Sequence, residues 1–134
     1  MTESQPHKSR RGIYRLKDHF ARFWFRFVLP NWSQLERGAK AVVLASTIRP
    51  EYDHFAAPVF EQVCQQYFWR QGLAGRLPFV PNQIGGWWQA NEEIDLILLG
   101  AEDAMLVECK WTSRPVGIDI LQDLEKKAEA VFKE

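Results

Sequence analysis

Two cysteines, Cys64 and Cys109, are all that the 134 residues contain. Both sit inside apolar stretches, so a disulfide framework is not expected and a reducing, cytoplasmic setting fits. No apolar run approaches the roughly 20 residues needed to cross a bilayer, so no membrane partner is expected. The N-terminal stretch is polar and basic without the apolar centre of a signal peptide. His7, His19 and His54 show no ligand spacing, which argues against a zinc site. The glycine-rich phosphate loop of P-loop ATPases is missing, so ATP hydrolysis by that route is excluded. Net charge is absent too, because 17 basic and 17 acidic side chains cancel.

What is present is unevenly spread. Lys8, Arg10, Arg11, Arg15, Lys17, Arg22 and Arg26 give the head a basic bias, whereas residues 92–134 are mainly acidic. A basic head suits a phosphate or an acidic partner, although charge runs often serve solubility alone. Six Trp and nine Phe are plentiful for one domain of this size. They suit well-filled helix contacts or a docking surface.

Residues 1–11 read as a disordered lead, and Gly12–Lys17 alternates as a short strand would. Asp18 caps a helix to about Val28, with Phe20, Phe23, Trp24 and Phe27 on one face, and Pro30 ends it. Asn31 or Ser33 starts a second helix, with Ser33 and Glu36 as a capping box, closed by Arg49-Pro50. A third runs from about Asp53 to Gln71, its apolar stripe being Phe55, Val59, Val63 and Tyr67, widened by Phe60 and Phe68. Strands follow at Leu77–Val80, Ile84–Gln89, Glu93–Leu99 and Ala104–Trp111, with a bulge suggested by Gly85-Gly86. A last helix spans Gly117–Lys133 and turns Ile118, Leu121, Leu124, Ala128 and Val131 to the core. The organisation is a lead over 1–17, a helical pair over 18–52 and an α/β core over 53–134.

The chemistry concentrates in one hairpin. A symmetric loop over Gly100–Asp103 pairs Leu99 with Ala104, places Asp95 opposite Glu108, and places Glu93 opposite Lys110. Period two then puts these four charged residues on one face and leaves Ile94, Leu96, Leu98, Met105, Val107, Cys109 and Trp111 on the other. Carboxylates directly opposed across a ladder destabilise it unless something neutralises them. A hard divalent cation, Mg²⁺ or Mn²⁺, would do so while keeping coordination positions for water and phosphate. Lys110 would stabilise developing negative charge. Together these are parts for metal-assisted phosphodiester hydrolysis. A different loop length would shift the register and separate the carboxylates. Cys109 points into the apolar face and is a poor nucleophile candidate. Trp87 and Trp88 could stack bases, but packing is the commoner use of Trp in a strand.

The strings Glu-Ile-Asp-Leu-Ile-Leu-Leu (93–99) and Leu-Val-Glu-Cys-Lys-Trp (106–111) resemble the PD-(D/E)XK nuclease superfamily, with Ile94 where proline would stand. The resemblance implies a restriction-endonuclease-like α/β fold, helices on a small mixed sheet, with Asp95, Glu108 and Lys110 catalytic and Mg²⁺ (or Mn²⁺) on the carboxylates. It further implies a helix glutamate, matched by Glu61, as a metal ligand, and a helix glutamine, matched by Gln122. DNA is the implied substrate. Tyr14–Asp18, Phe23–Phe27, Phe60-Glu61, Gly86–Trp88 and Glu108–Trp111, taken in order, resemble the domain of unknown function 234. That family usually follows a winged helix at the C-terminus of archaeal-type P-loop ATPases, so an ATPase partner is implied. Here no ATPase or winged helix precedes, although Gly12–Lys17 is similar to the last wing strand, and the chain stops before a closing strand. Two functions are therefore expected: a metal-dependent nuclease module, or a non-catalytic interaction or regulatory domain of an ATPase.

Overall fold

The structure is a computed structural model that describes residues 16–89 and 92–132. The expected lead over 1–11 and most of the Gly12–Lys17 strand lie outside the described residues, as do Lys8, Arg10, Arg11 and Arg15. The chain divides into two compact units between Ala56 and Ala57.

The first unit is helical. Helix α1 (His19–Phe23) starts where expected, because the Asp18 carboxylate accepts the Ala21 N–H at 2.6 Å and satisfies one orphan donor of the first turn. Pro30 does not end the helical run. A wider π turn (Trp24–Val28) and a 3-10 turn (Leu29–Asn31) carry it into α2 (Trp32–Glu36). Gly38, with φ of 81°, then breaks it. Lys40–Val43 (α3) restarts it, and a second π turn (Leu44–Ile48) leads into α4 (Arg49–Leu73). Each π turn comes just before a proline, Pro30 or Pro50. A proline ring crowds the carbonyl four residues back and offers it no N–H. Opening the turn by one residue relieves that crowding, so the helix continues where proline was expected to stop it. The expected capping box is not formed. Asn31 donates backward to the Phe27 carbonyl at 2.8 Å instead of capping α2.

Phe27 and Val43 are the buried residues of this unit. Phe23 and Phe27 each pack edge to face on Phe55 and tilt against one another, with ring centroids 5.1–5.9 Å apart. Two residues of the basic head are used internally. Arg22 lies over the Phe55 ring, and Arg26 pairs with Glu51 at 2.6 Å.

The second unit holds the sheet. Strands β1 (Gln83–Gln89), β2 (Glu92–Leu99) and β3 (Ala104–Val107) form an antiparallel sheet in the order β1-β2-β3. Among the described residues it is wholly antiparallel, not mixed. Leu77–Val80 is irregular, and β3 stops at Val107 rather than Trp111. The β2–β3 register is the expected one, Leu99 to Ala104 through Leu96 to Val107. Helix α5 (Ile118–Phe132) packs on β2 and β3.

The bulge signalled by the glycines is found, but its extra residue lies on the other strand. Gly85 pairs with Ile97 and Trp87 with Ile94, so Gly86 alone opposes both Asp95 and Leu96. This breaks the period-two pattern of β2. Ile94 and Ile97, assigned to opposite faces by alternation, join Trp87 in one core cluster. Leu99, Leu106, Leu124 and Val131 pack against that cluster. Ile118 and Leu121 of α5 are exposed, contrary to expectation.

Helix α4 turns inward only part of the expected stripe. Val63 and Tyr67 are exposed. Phe60 meets Trp111 at 5.5 Å between ring centroids, and Gln65 donates to the Ile84 carbonyl at 2.9 Å. Gly72 lies so close to Pro81 that a Cβ there would be 2.4 Å from its Cδ. The inward face thus includes an amide and a glycine, and apolar residues alone do not mark it.

Candidate functional site

Asp95 sits in the β2 bulge, a device that re-aims a side chain out of the pleat. Its Oδ2 accepts the Cys109 backbone N–H at 2.6 Å. Where the ladder with β3 stops, this bond continues the connection and holds the segment that carries Glu108 and Lys110. Burial pushes the Asp95 carboxyl above its usual range, and the Cys109 N–H opposes that rise. The negative charges of Glu108 and Glu93 push it further up, while Lys110 pulls it down. Asp95 therefore feels the charges of the other three residues of the hairpin, Glu93, Glu108 and Lys110.

Glu108 is mostly buried, with 13% of its side chain exposed. Lys110 donates to its Oε1, and that bond is the main reason the Lys110 ammonium is held above the ordinary lysine range. The Glu108 Oε2 atom is buried without a hydrogen-bond donor. Lys127 Nζ is 3.5 Å from it, an ion pair without hydrogen-bond geometry. A cavity of about 350 Å³ adjoins Glu108 and Lys110 and is lined also by Glu92, Ile120, Asp123, Lys126 and Lys127.

Lys127 and Lys126 are absent from the sequence-based site. A signal for Lys127 existed: Leu124, Lys127 and Val131 recur at i, i+3 and i+7, so Lys127 shares the inward face of α5. Gln122, the helix glutamine implied by resemblance, is exposed and does not line the cavity. Glu61 is half-buried on α4, and its charge, like that of Asp95, raises the Cys109 thiol. Burial is the larger cause, followed by a hydrogen bond with Cys64, so the thiol is held well above its ordinary range. Cys109 is thus kept protonated and unreactive.

Among the described residues, no three His, Cys, Asp or Glu side chains converge as a metal-ligand group. A two-carboxylate site is compatible with Mg²⁺, which is commonly held by one or two carboxylates and keeps its waters. Glu108 Oε2, buried and without a donor, has the chemistry of such a ligand. No described helix is long and apolar enough to cross a membrane.

A small α/β protein, with a carboxylate and lysine cluster at one end of an antiparallel sheet, is the class these features define. Residues 24–130 match the model of the domain of unknown function 234, described as "Archaea bacterial proteins of unknown function", and the chain belongs to that family. It is similar to an uncharacterized protein of Methanocaldococcus jannaschii, MJECL04, at 37% identity over 129 residues. The match covers 92% of this chain and 28% of that relative's length. No solved structure matches the chain.

Proposed function

We propose that the second unit is a divalent-metal-dependent nuclease module of the PD-(D/E)XK kind, acting on phosphodiester bonds in DNA. The observation that carries this reading is the Glu108 carboxylate. It is anchored through Oε1 by Lys110, while Oε2 is buried without a hydrogen-bond donor. Asp95 has a similar division, since Oδ2 is engaged by the Cys109 N–H. One oxygen of each carboxylate is thus held by a hydrogen bond, and Glu108 Oε2, which has only the 3.5 Å ion pair with Lys127, would turn to the metal.

Asp95 and Glu108 would hold Mg²⁺ or Mn²⁺ as a two-carboxylate site, without Glu61, since no three such side chains converge among the described residues. Bound there, the ion supplies Lewis acidity toward a phosphoryl oxygen and acidifies water. Lys110 stabilises negative charge that develops on the phosphate. Lys126 and Lys127 line the same cavity and offset the charge of the DNA backbone. Burial raises the Asp95 pKa, so metal binding at this carboxylate competes with its protonation.

The test is cleavage of plasmid and branched DNA with Mg²⁺ or Mn²⁺, beside Asp95→Ala and Lys110→Ala. Metal-dependent cutting by the parent, lost in both variants, is the expected result. Absence of cutting, together with a melting temperature that does not respond to metal, overturns it.

A second reading, a non-catalytic interaction or regulatory domain of an archaeal-type ATPase, is supported by a different observation. Phe20, Phe25, Leu29 and Trp32 of the first unit are all substantially exposed, Phe20 at 71%. Exposed apolar side chains in this number over a short segment suit a contact surface. The relative is more than three times as long as its matching part, which leaves room for an ATPase in the same polypeptide. Binding of an ATPase that survives Asp95→Ala and fails on Phe20→Ser with Phe25→Ser would favour this reading.

A further inference from the structure

Helix α4 and the beginning of β1 enclose a second cavity, of about 420 Å³, which shares no residue with the carboxylate cluster. Its volume falls within the range of small-ligand pockets. Gln65, Gln66, Trp69 and Arg70 come from α4, where spacings of four residues place Gln65 under Trp69 and Gln66 under Arg70. Asn82, Gln83 and Ile84 line it from the strand side.

The chemistry of this lining is specific. Trp69 is 42% exposed and stacks on no other ring among the described residues, so its indole face is available for a planar ligand. Arg70 has no carboxylate partner among the described residues, which leaves an unneutralised cation at the mouth. The Gln65 amide nitrogen is held by the Ile84 carbonyl at 2.9 Å. That bond fixes the side chain and leaves its carbonyl oxygen to accept. Gln66 and Asn82 add donors and acceptors.

We propose that this cavity binds a nucleobase bearing a phosphate, with the base stacked on Trp69, its polar edge read by Gln65, Gln66 and Asn82, and the phosphate met by Arg70. An aromatic face beside amides and one free cation matches a nucleotide, in which a π face, a hydrogen-bonding edge and an anion lie together. An apolar peptide would strip water from the amides without replacing their hydrogen bonds. An acidic peptide would find a single cation and no use for the indole. The ligand is either a free nucleotide or a nucleotide of a single strand, and the recognition chemistry is common to both. The proposal holds whether or not Asp95 and Glu108 take a metal.

The test uses the full chain in EDTA, which removes any metal-dependent cleavage. The probes are 2-aminopurine riboside, its 5′-monophosphate, and a single-stranded oligothymidylate with one 2-aminopurine. Saturable quenching of probe fluorescence is expected. Trp69→Ala should weaken it about tenfold, in line with the loss of one base–aromatic stack, and Trp69→Phe should restore most of the loss. Arg70→Ala should weaken binding of the two phosphate-bearing probes and leave the riboside unchanged. Lys110→Ala should leave binding of the riboside and of the monophosphate unchanged, which separates this result from the fate of the nuclease reading. Tighter binding of the oligonucleotide assigns the site to a strand, and equal binding of the monophosphate assigns it to a free nucleotide. Either supports the proposal. Equal quenching by the parent and by a Trp69→Ala variant with an unchanged circular dichroism spectrum overturns it, as does the absence of saturable quenching.

Discussion

The Asp95 carboxylate accepts the Cys109 backbone N–H at 2.6 Å, and in doing so ties the bulge of β2 to the segment beyond the end of β3. The side chain nominated as a metal ligand is thus also a structural clamp. The two roles separate by substitution. Asp95→Asn keeps an acceptor for the Cys109 N–H, whereas Asp95→Ala removes it and should cost about 1–3 kcal/mol for the unpaired donor. Thermal unfolding should rank the parent and Asn close together and Ala well below. Both variants should lose any stabilisation by Mn²⁺. Retained metal stabilisation in Asp95→Asn would remove Asp95 from the ligand set.

Titration of Asp95 gives a sign that can be checked. Its pKa is raised in the folded state above the usual 3.8, so the folded protein holds the proton more tightly than the unfolded chain. The resulting stabilisation is fully present below that usual value and is lost as pH rises through the raised one. Replacing Asp95 with Asn should flatten this part of the stability profile. Metal affinity should move the opposite way, rising with pH as the carboxyl ionises. Chemical denaturation across the acid range, with and without Mn²⁺, measures both trends.

Lys110 and Lys127 both serve Glu108, one on each carboxylate oxygen. Removing either leaves the other to compensate a mostly buried charge. Lys110→Met and Lys127→Met should each destabilise by about 1 kcal/mol, and the double variant by more than the sum, because the last compensating cation is then gone. A double-mutant cycle by urea denaturation reads the coupling. Additive losses would mean that Glu108 is solvated and not dependent on the pair.

Gly72 sets two effects against each other. Alanine should favour the helix by up to about 1 kcal/mol. Its Cβ, however, would meet Pro81 Cδ at 2.4 Å and Cγ at 2.9 Å, and overpacking of a rigid ring costs about 1–3 kcal/mol. The clash should win, so Gly72→Ala should lower the melting temperature. Gly75, where added bulk meets nothing but φ is 66°, should lose stability through backbone strain alone.

The hairpin register from Leu99–Ala104 to Leu96–Val107 was legible in the sequence, although the ladder ends before the expected Asp95–Glu108 and Glu93–Lys110 pairs, and so was the Asp18 cap. Both are local: a four-residue loop with alternating flanks admits few pairings, and a cap concerns one turn of backbone. Membership of the family could likewise be read from short motifs in order. Other features depended on contacts between distant segments. The bulge was announced by Gly85-Gly86, but only pairing with β1 put its extra residue at Asp95–Leu96 and moved Ile94 to the face of Ile97. Periodicity gave α4 the stripe of Val63 and Tyr67, whereas a polar bond from Gln65 to Ile84 and the fit of Gly72 against Pro81 turned it otherwise. Lys127 reaches Glu108 because α5 packs on β2 and β3. Side-chain spacing specifies faces within an element, but which face is covered depends on the partner surface, and that surface exists only when the chain has folded.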